Sequence, residues 1–258
     1  MGKIVSIHSF RGGTGKSNIT ANLAISIARD GNRVGIIDTD IQSPGIHVLF
    51  DVDIEKIGHT LNDYLWGKCS IEEAAVDVSP FLLQDGKSAV PPSSVYLIPC
   101  SNKASEIARV LREGYDVSVL NDGFHDLIRG LKLDFLFIDT HPGLNEETLL
   151  SIAVSDILIL ILRPDKQDFQ GTAVTIEVAR KLKVPNLILV VNKILPDFDF
   201  EDVKRQVEST YQATVVGLLP LSLEMVRLAS SGIFYLKNPD HSISKEIDKI
   251  AAQITVNK

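Results

Sequence analysis

The sequence is poor in cysteine and lacks any long apolar run. Only two cysteines, Cys69 and Cys100, occur among 258 residues, too few for the disulfide framework that stabilises small secreted domains. No stretch approaches the roughly 20 apolar residues that cross a bilayer, and the N-terminal residues lack the apolar core and cleavage site of a signal peptide. These absences exclude a disulfide scaffold and predict a cytoplasmic protein whose thiols are small buried residues.

Basic residues are also scarce relative to acidic ones. The chain carries 26 Lys and Arg against 33 Asp and Glu, which gives a formal net charge of −7. A protein that attracts phosphate polymers over its whole surface would have the opposite balance. The charge therefore disfavours DNA binding and leaves open only a local basic patch.

What the sequence does have is a regular alternation of short apolar runs with longer amphipathic stretches. The apolar runs predict strands at residues 3–8, 33–38, 95–99, 134–139, 157–162, 187–191 and 214–218. The amphipathic stretches predict helices at residues 16–29, 103–112, 117–130, 146–153, 170–182, 200–210, 223–230 and 244–254. This alternation predicts an α/β fold with a doubly wound, mostly parallel sheet flanked by helices on both faces.

One segment, residues 49–94, interrupts the alternation. It predicts two short helices around Gly67, followed by an exposed loop that carries Pro91 and Pro92. Because strands on both sides of the segment are needed to complete one sheet, we expect an insertion within a single domain that spans residues 1–258.

A glycine-rich loop directly follows the first predicted strand. The strand IVSIH runs into SFRGGTGKSNIT and then into an amphipathic helix. In a phosphate-binding loop of this kind, backbone N–H groups and the positive helix end face the phosphates, while Lys16 reaches a phosphate and Ser17 reaches Mg²⁺. The strict pattern G-x-x-x-x-G-K-[ST] is not met, since Phe10 occupies the first glycine position, and a simple tight turn is the alternative for the loop alone. The candidate nucleotide-binding residues are Gly12, Gly13, Thr14, Gly15, Lys16, Ser17 and Asn18.

Carboxylates follow two other predicted strands, in the segments GIIDTDIQSPGIH and FLFIDTHPGL. Asp38 and Asp40 come after one strand, and Asp139 comes after the other. The carboxyl ends of parallel strands form the edge where ligands of open α/β sheets bind. A single aspartate there is more often a helix or turn cap. Three of them beside a phosphate loop are hard to explain as caps, and they predict a metal and phosphate site.

The loop resembles the deviant Walker A motif of the MinD/ParA ATPases, K-G-G-x-G-K-[ST], with Arg11 in place of the signature lysine. The resemblance implies a homodimer that encloses ATP between its subunits, in which Arg11 reaches the partner's phosphates. It also implies that Ser17, Asp38 and Asp139 hold Mg²⁺ and that Asp40 orients the attacking water. The catalytic residues would then be Lys16, Asp40 and Arg11. Arg11 keeps the charge of lysine, but its planar group is not a conservative replacement at a tight site.

Further segments carry the same resemblance along nearly the whole chain. The strand ends at Asn192 and at Pro220 and Leu221 match the adenine-binding stretches of the family, which implies that the Asn192 amide reads the base edge. TLNDYLWGKCSIEEAAV, VYLIPCS and MVRLASSGIFYLKNP are more similar to MinD than to plasmid ParA sequences. The resemblance implies a weak, partner-stimulated ATPase that acts as a switch in cell division or chromosome partitioning, with an unidentified activator or cargo protein.

Several alternatives stay open or are disfavoured. An ATP-binding scaffold with little hydrolysis is the main alternative, because the signature lysine is replaced by Arg11. An iron–sulfur relative would need a cysteine shortly after Asp139, and residues 139–155 contain none. A ligase lacks a recognisable second-substrate pocket. The last predicted helix, with Glu246 and Asp248 beside its lysines, is expected to cover the core and not to target a membrane. The candidates for DNA contact are Arg180, Lys181, Lys183, Lys204 and Arg205.

Overall fold

The structure, a computed structural model, describes residues 2–83 and 89–256, and its centre is one eight-stranded sheet. The strand order is β3-β4-β2-β5-β1-β6-β7-β8. All neighbours pair in parallel except the short edge strand β3, which is antiparallel to β4. The strands are β1 Lys3–His8, β2 Arg33–Asp38, β3 Val76–Asp77, β4 Ser94–Ile98, β5 Phe135–Asp139, β6 Ile157–Leu162, β7 Asn186–Ile194 and β8 Thr214–Pro220.

The central strands are apolar because the sheet is covered on both faces. Every residue of β5 (FLFID) and of β6 (ILILIL) is buried, as expected for parallel strands between two helical layers. Along β1, Val5 and Ile7 pack into one core cluster and Ile4 packs into another on the opposite face. The predicted doubly wound α/β sheet is therefore confirmed.

Helices cover both faces of this sheet. The core cluster on one face includes residues of α1, α10 and α11, whereas α5 packs on the other face of β5, and α7 and α8 pack against β6 and β7. The helices are α1 Lys16–Arg29, α2 Ile46–Leu49, α3 Leu61–Leu65, α4 Ala104–Glu113, α5 Val117–Gly130, α6 Glu146–Ala153, α7 Lys166–Lys181, α8 Phe200–Tyr211, α9 Leu223–Leu228, α10 Phe234–Lys237 and α11 Ser242–Thr255.

The C-terminal helix α11 is amphipathic, and its apolar side belongs to the core. Ile243, Ile247, Ile250 and Ile254 are all buried in the cluster that also contains α1. The expectation that this helix covers the core is confirmed. Within residues 2–83 and 89–256, the structure contains no helix that is both long enough and apolar enough to cross a membrane.

The segment at residues 49–94 differs from its prediction. The first short helix is α3, but the helix predicted after Gly67 is wrong: residues 71–74 form turns, and the chain then adds β3 to the sheet edge. Gly67 has a φ of 67°, so the chain turns sharply away from α3. Pro91 and Pro92 are exposed, as expected. Residues 84–88 of the predicted loop lie outside the described residues.

Candidate nucleotide site

The glycine-rich loop connects β1 to α1 at the carboxyl edge of the sheet, as predicted. Gly15 is the residue before α1, and its φ of 99° is in the left-handed region. A Cβ atom at Gly15 would lie 2.6 Å from Nδ2 of Asn192. Two separate constraints, backbone conformation and space, therefore require glycine at this position. The first turn of α1 contains no acidic side chain, so its positive end is free to attract an anion.

Lys16 lies beneath the loop and is buried. Its Nζ donates a hydrogen bond to Oγ of Ser9 at 3.2 Å. Burial lowers the pKa of Lys16, while the carboxylates of Asp139, Asp40 and Asp38 act in the opposite direction. The ammonium group is thus a poorly hydrated cation beside the loop, as phosphate binding requires.

Asp38 and Asp139 form a buried carboxylate pair on neighbouring strands. They are register partners at the ends of β2 and β5. Asp38 accepts hydrogen bonds from the backbone N–H groups of Asp40 at 3.0 Å and Gly45 at 3.3 Å. Burial raises the pKa of both carboxyl groups, and the mutual repulsion raises that of Asp38 further. Two such groups ionise together most easily when a cation lies beside them.

The oxygen donors around this pair fit Mg²⁺. The Ser17 hydroxyl is hydrogen-bonded to Asp139, and Oγ1 of Thr20 donates to Asp139 Oδ1 at 3.3 Å. The described residues contain no cluster of three or more His, Cys, Asp or Glu side chains that could hold a metal by themselves. Mg²⁺ is usually held by one or two carboxylates together with substrate phosphates. The two carboxylates of Asp38 and Asp139, with the Ser17 hydroxyl beside them, are donors of this kind.

Asp40 and His141 meet at the rim of the phosphate loop. His141 Nδ1 lies 2.6 Å from Asp40 Oδ1. Both residues line a cavity of about 390 Å³ together with residues of the loop. The loop residues on that cavity wall are Gly12, Gly13, Gly15, Lys16, Ser17 and Asn18.

A second cavity, of about 160 Å³, continues from the first past Gly15 and Asn18. Pro220 and Leu221 line it at the end of β8 together with Asn192, and their predicted contact with adenine stays a prediction. The Asn192 Nδ2 donates to the backbone oxygen of Thr14 at 2.7 Å. In this structure the Asn192 amide thus contacts the phosphate loop, and its predicted contact with a base edge stays a prediction.

Arg11 does not line either of these cavities and lies beside the start of α7. Its guanidinium Nη1 is 3.8 Å from Asp165 Oδ1 and 3.7 Å from Asp168 Oδ1. Asp168 is buried and is already held by Arg163 through contacts of 2.9 and 3.2 Å. Phe10, the residue at the first glycine position of the strict motif, packs over the backbone of Gly171 on α7. The departure from the strict motif therefore has a packing role.

Several polar residues of the site were missed by sequence reasoning. His8 is buried, and its Nδ1 lies 2.8 Å from the hydroxyl of Thr140. Lys193 Nζ donates to the Gly13 backbone oxygen at 2.7 Å. His141 belongs to the segment FLFIDTHPGL, in which only Asp139 was assigned a role. The useful signal was the register: D-x-D after β2 and D-x-H after β5 place Asp40 and His141 at matching positions.

The strand, glycine loop and helix, with a buried lysine and two strand-end carboxylates, define a P-loop nucleotide-binding protein. The ParA family model, described as NUBPL iron-transfer P-loop NTPase, matches residues 1–255. The chain belongs to the MinD/ParA family of P-loop ATPases.

Individual relatives agree with this assignment. An uncharacterized ATP-binding protein of Methanocaldococcus jannaschii is 28% identical over 97% of this chain and 86% of its own length. The cell division ATPase MinD of Pyrococcus furiosus superposes with a TM-score of 0.80 at 21% identity, covering 100% of both chains. The septum site-determining protein MinD of Pyrococcus horikoshii, complexed with Mg-ADP, gives a TM-score of 0.78 at 21% identity, covering 99% of this chain and 96% of that one. At these identities the two structural likenesses establish the fold.

The expectation that both thiols are buried holds for Cys100 but not for Cys69, which is half-buried. Cys100 is buried, and its thiol donates to the backbone oxygen of Asp38 at 2.9 Å. Burial raises the pKa of the Cys100 thiol and, to a smaller extent, that of Cys69.

Proposed function

We propose that this protein binds ATP with Mg²⁺ and hydrolyses it slowly, as a switch that positions or partitions a cargo. The observation that carries the proposal is that Gly15, Lys16 and Asp40 line one cavity, while the buried pair Asp38 and Asp139 acts electrostatically on Lys16. Backbone N–H groups and Lys16 would bind the phosphates. A simple turn does not account for this loop, because Lys16 is buried and the first turn of α1 carries no acidic side chain to neutralise the positive helix end.

The chemistry assigned to the remaining residues follows from their places. Ser17, Asp38 and Asp139 would hold Mg²⁺, which when bound neutralises phosphate charge. Asp40 lines the same cavity and would orient a water molecule for attack on the terminal phosphate. Lys16 would stabilise the charge that develops on the transferred phosphoryl group. Because Arg11 is held by Asp165 and Asp168 of its own chain, we expect slow turnover until a second subunit recruits it.

A homodimer that encloses ATP would complete the site. Arg11 is about two-fifths exposed, so it can leave Asp165 and Asp168 and reach the phosphates of a second subunit. An arginine supplied in this way stabilises the transition-state charge. We propose that residues 1–258 act as a single domain in this dimer and that an activator or cargo protein sets its rate. The net charge of −7 disfavours DNA as the cargo.

The test is ATP turnover by the full chain with Mg²⁺, measured as phosphate release over a range of protein concentrations. We expect weak activity whose specific rate rises with protein concentration. Lys16→Ala and Asp40→Ala should lower kcat by roughly 10²-fold or more. Lys181→Ala is the matched control, because Lys181 is exposed on α7 and pairs only with Glu177 at 2.8 Å among the ion pairs of the described residues. Variants of Lys16 and Asp40 that match the wild type would refute the proposal.

A scaffold that binds ATP without hydrolysis is the second candidate, and the position of Arg11 favours it. An arginine held by Asp165 and Asp168 in its own chain is withdrawn from the phosphates. Light scattering with ATP and Mg²⁺ separates the two candidates. ATP-dependent dimers with no phosphate release would support the scaffold, whereas dimers that release phosphate would exclude it.

A further inference from the structure

The contact between Asp40 and His141 follows from strand register. Asp38 and Asp139 are partners in the parallel pair of β2 and β5. Two residues further on, beyond the last paired positions, lie Asp40 and His141. Their side chains meet at 2.6 Å, on the wall of the cavity that contains Lys16. The histidine therefore sits beside the carboxylate that the proposed function assigns to the attacking water.

The hydrogen bonds of the Asp40 side chain are unevenly distributed. Oδ1 is 2.6 Å from His141 Nδ1 and accepts from the backbone N–H of Ser43 at 3.1 Å. Within the described residues no hydrogen bond reaches Oδ2 from the protein. An ionised carboxylate can only accept, so the hydrogen bond assigns the donor role to His141 Nδ1 when Asp40 is ionised. The pair fixes the plane of the carboxylate through Oδ1 and leaves Oδ2 for a donor in the cavity.

The loop that carries His141 is itself anchored. Thr148 Oγ1 donates to the His141 backbone oxygen at 3.3 Å, and the Thr148 N–H donates to Asn145 Oδ1 at 2.8 Å. Asn145 is the N-cap of α6. The backbone of His141 is thus hydrogen-bonded to the first turn of α6, whereas Asp40 belongs to the loop after β2. A short hydrogen bond to a carboxylate is among the stronger ones in proteins.

We propose that His141 is a positioning residue for ATP hydrolysis, which it serves by holding Oδ1 of Asp40 so that Oδ2 orients the attacking water. This inference rests on the proposed ATPase function. His141 joins the loops after β2 and β5, so the water-orienting group and the Asp139 end of the metal site move together. Without His141 the carboxylate loses the hydrogen bond that fixes its orientation.

The test compares three substitutions in the full chain. His141→Ala removes the donor, and His141→Asn keeps an N–H group near the place of Nδ1 without an imidazole ring. His125→Ala on α5 is the control, since His125 is a half-buried histidine outside the cavity. We expect His141→Ala to lower kcat by roughly 10- to 100-fold, the scale of a misplaced catalytic group, with unchanged ATP affinity. His141→Asn should recover most of the loss, and His125→Ala should behave as the wild type.

The contact can also be observed without turnover, by ¹⁵N NMR of the histidine rings. A protonated Nδ1 of His141 that is lost or shifted in Asp40→Ala would support the inference, and an Nδ1 without a proton in the wild type would overturn it. A His141→Asn variant as slow as His141→Ala, or a changed ATP affinity with unchanged kcat, would overturn it as well. A wild type without phosphate release would refute the proposed function and this role together. Wild-type turnover that His141→Ala leaves unchanged would refute only this role.

Discussion

Replacement of the loop glycines by alanine gives a graded test of the phosphate loop. Gly12 does not have a positive φ, and a Cβ there would meet only Pro142 Cγ at 3.8 Å, an ordinary contact. Gly13 has a φ of 75°, but a Cβ would meet nothing within 4 Å. Gly15 combines a φ of 99° with a Cβ position 2.6 Å from Asn192 Nδ2. The series therefore separates backbone strain from lack of space.

The expected free-energy changes follow from these differences. Gly12→Ala should change the free energy of unfolding of the nucleotide-free protein by less than about 1 kcal/mol. Gly13→Ala adds the left-handed penalty of about 1–2 kcal/mol for a residue with a Cβ. Gly15→Ala adds the same penalty and also displaces Asn192, whose buried amide loses its bond to Thr14, for about 1–3 kcal/mol more. The total for Gly15→Ala is about 2–5 kcal/mol.

Urea denaturation of the nucleotide-free variants measures these values directly. A second titration with ATP and Mg²⁺ separates stability from binding, because Gly12 and Gly13 line the cavity proposed for the phosphates. We expect the order Gly12→Ala, Gly13→Ala, Gly15→Ala in increasing loss of stability. A Gly15→Ala protein as stable as Gly12→Ala would refute the argument that the contact with Asn192 restricts this position.

Three further predictions concern buried ionisable side chains. Burial lowers the pKa of His8 to about 3, so only the unfolded chain takes up this proton as the pH falls below about 6.5. The wild type should therefore lose about 2 kcal/mol more stability between pH 7 and 5 than His8→Asn, measured by urea denaturation. Burial raises the pKa of Asp139 in the folded protein to about 6. The folded state therefore loses stability as the pH rises from the ordinary pKa of 3.8 to about 6, and the buried charge destabilises it at every higher pH. Asp139→Asn without nucleotide should consequently melt higher than the wild type at pH 8, and an equal or lower melting temperature would contradict this. Asp168→Ala leaves Arg163 without its buried partner and should cost about 2–3 kcal/mol, whereas Asp165→Ala should cost about 1 kcal/mol through the cap of α7. Equal losses of unfolding free energy for Asp168→Ala and Asp165→Ala would contradict the argument that Asp168 is the main partner of Arg163.

The sheet could be predicted because buried parallel strands and their covering helices leave distinct apolar patterns. β5 and β6 are apolar throughout, and the predicted β1 and β2 have the observed bounds. Short elements were harder to predict. The segment after Gly67 contains the helix-favouring residues IEEAA, yet it forms turns and an edge strand, because pairing with β4 outweighs a weak local preference. Helix α7 begins at Lys166 because Asp165 caps it, accepting from the N–H groups of Gln167 and Asp168, a signal that the sequence reasoning did not use.

The sequence predicted the parts of the candidate site whose backbone position a motif determines. It did not predict contacts of side chains that have several possible partners. The positions of Lys16, Asp38 and Asp139 follow from the strand ends and the loop. The association of Arg11 with Asp165 and Asp168 does not, because it depends on how α7 begins. The contact of Asn192 with Thr14 likewise depends on β7 extending beyond its predicted end to Ile194.

The hydrogen bond from Asn192 to Thr14 has a thermodynamic consequence for ligand recognition. The same amide lies on the wall of the second cavity and holds the backbone of the phosphate loop. The amide has a second N–H group besides the one that Thr14 accepts, and a base that rotates the amide away from Thr14 would alter the conformational freedom of the phosphate loop. By linkage the effect is reciprocal. We therefore expect the binding free energies of a free nucleoside and of inorganic triphosphate not to add up to that of the whole nucleotide. Replacing one base by another should change the affinity of the phosphate loop for the phosphates.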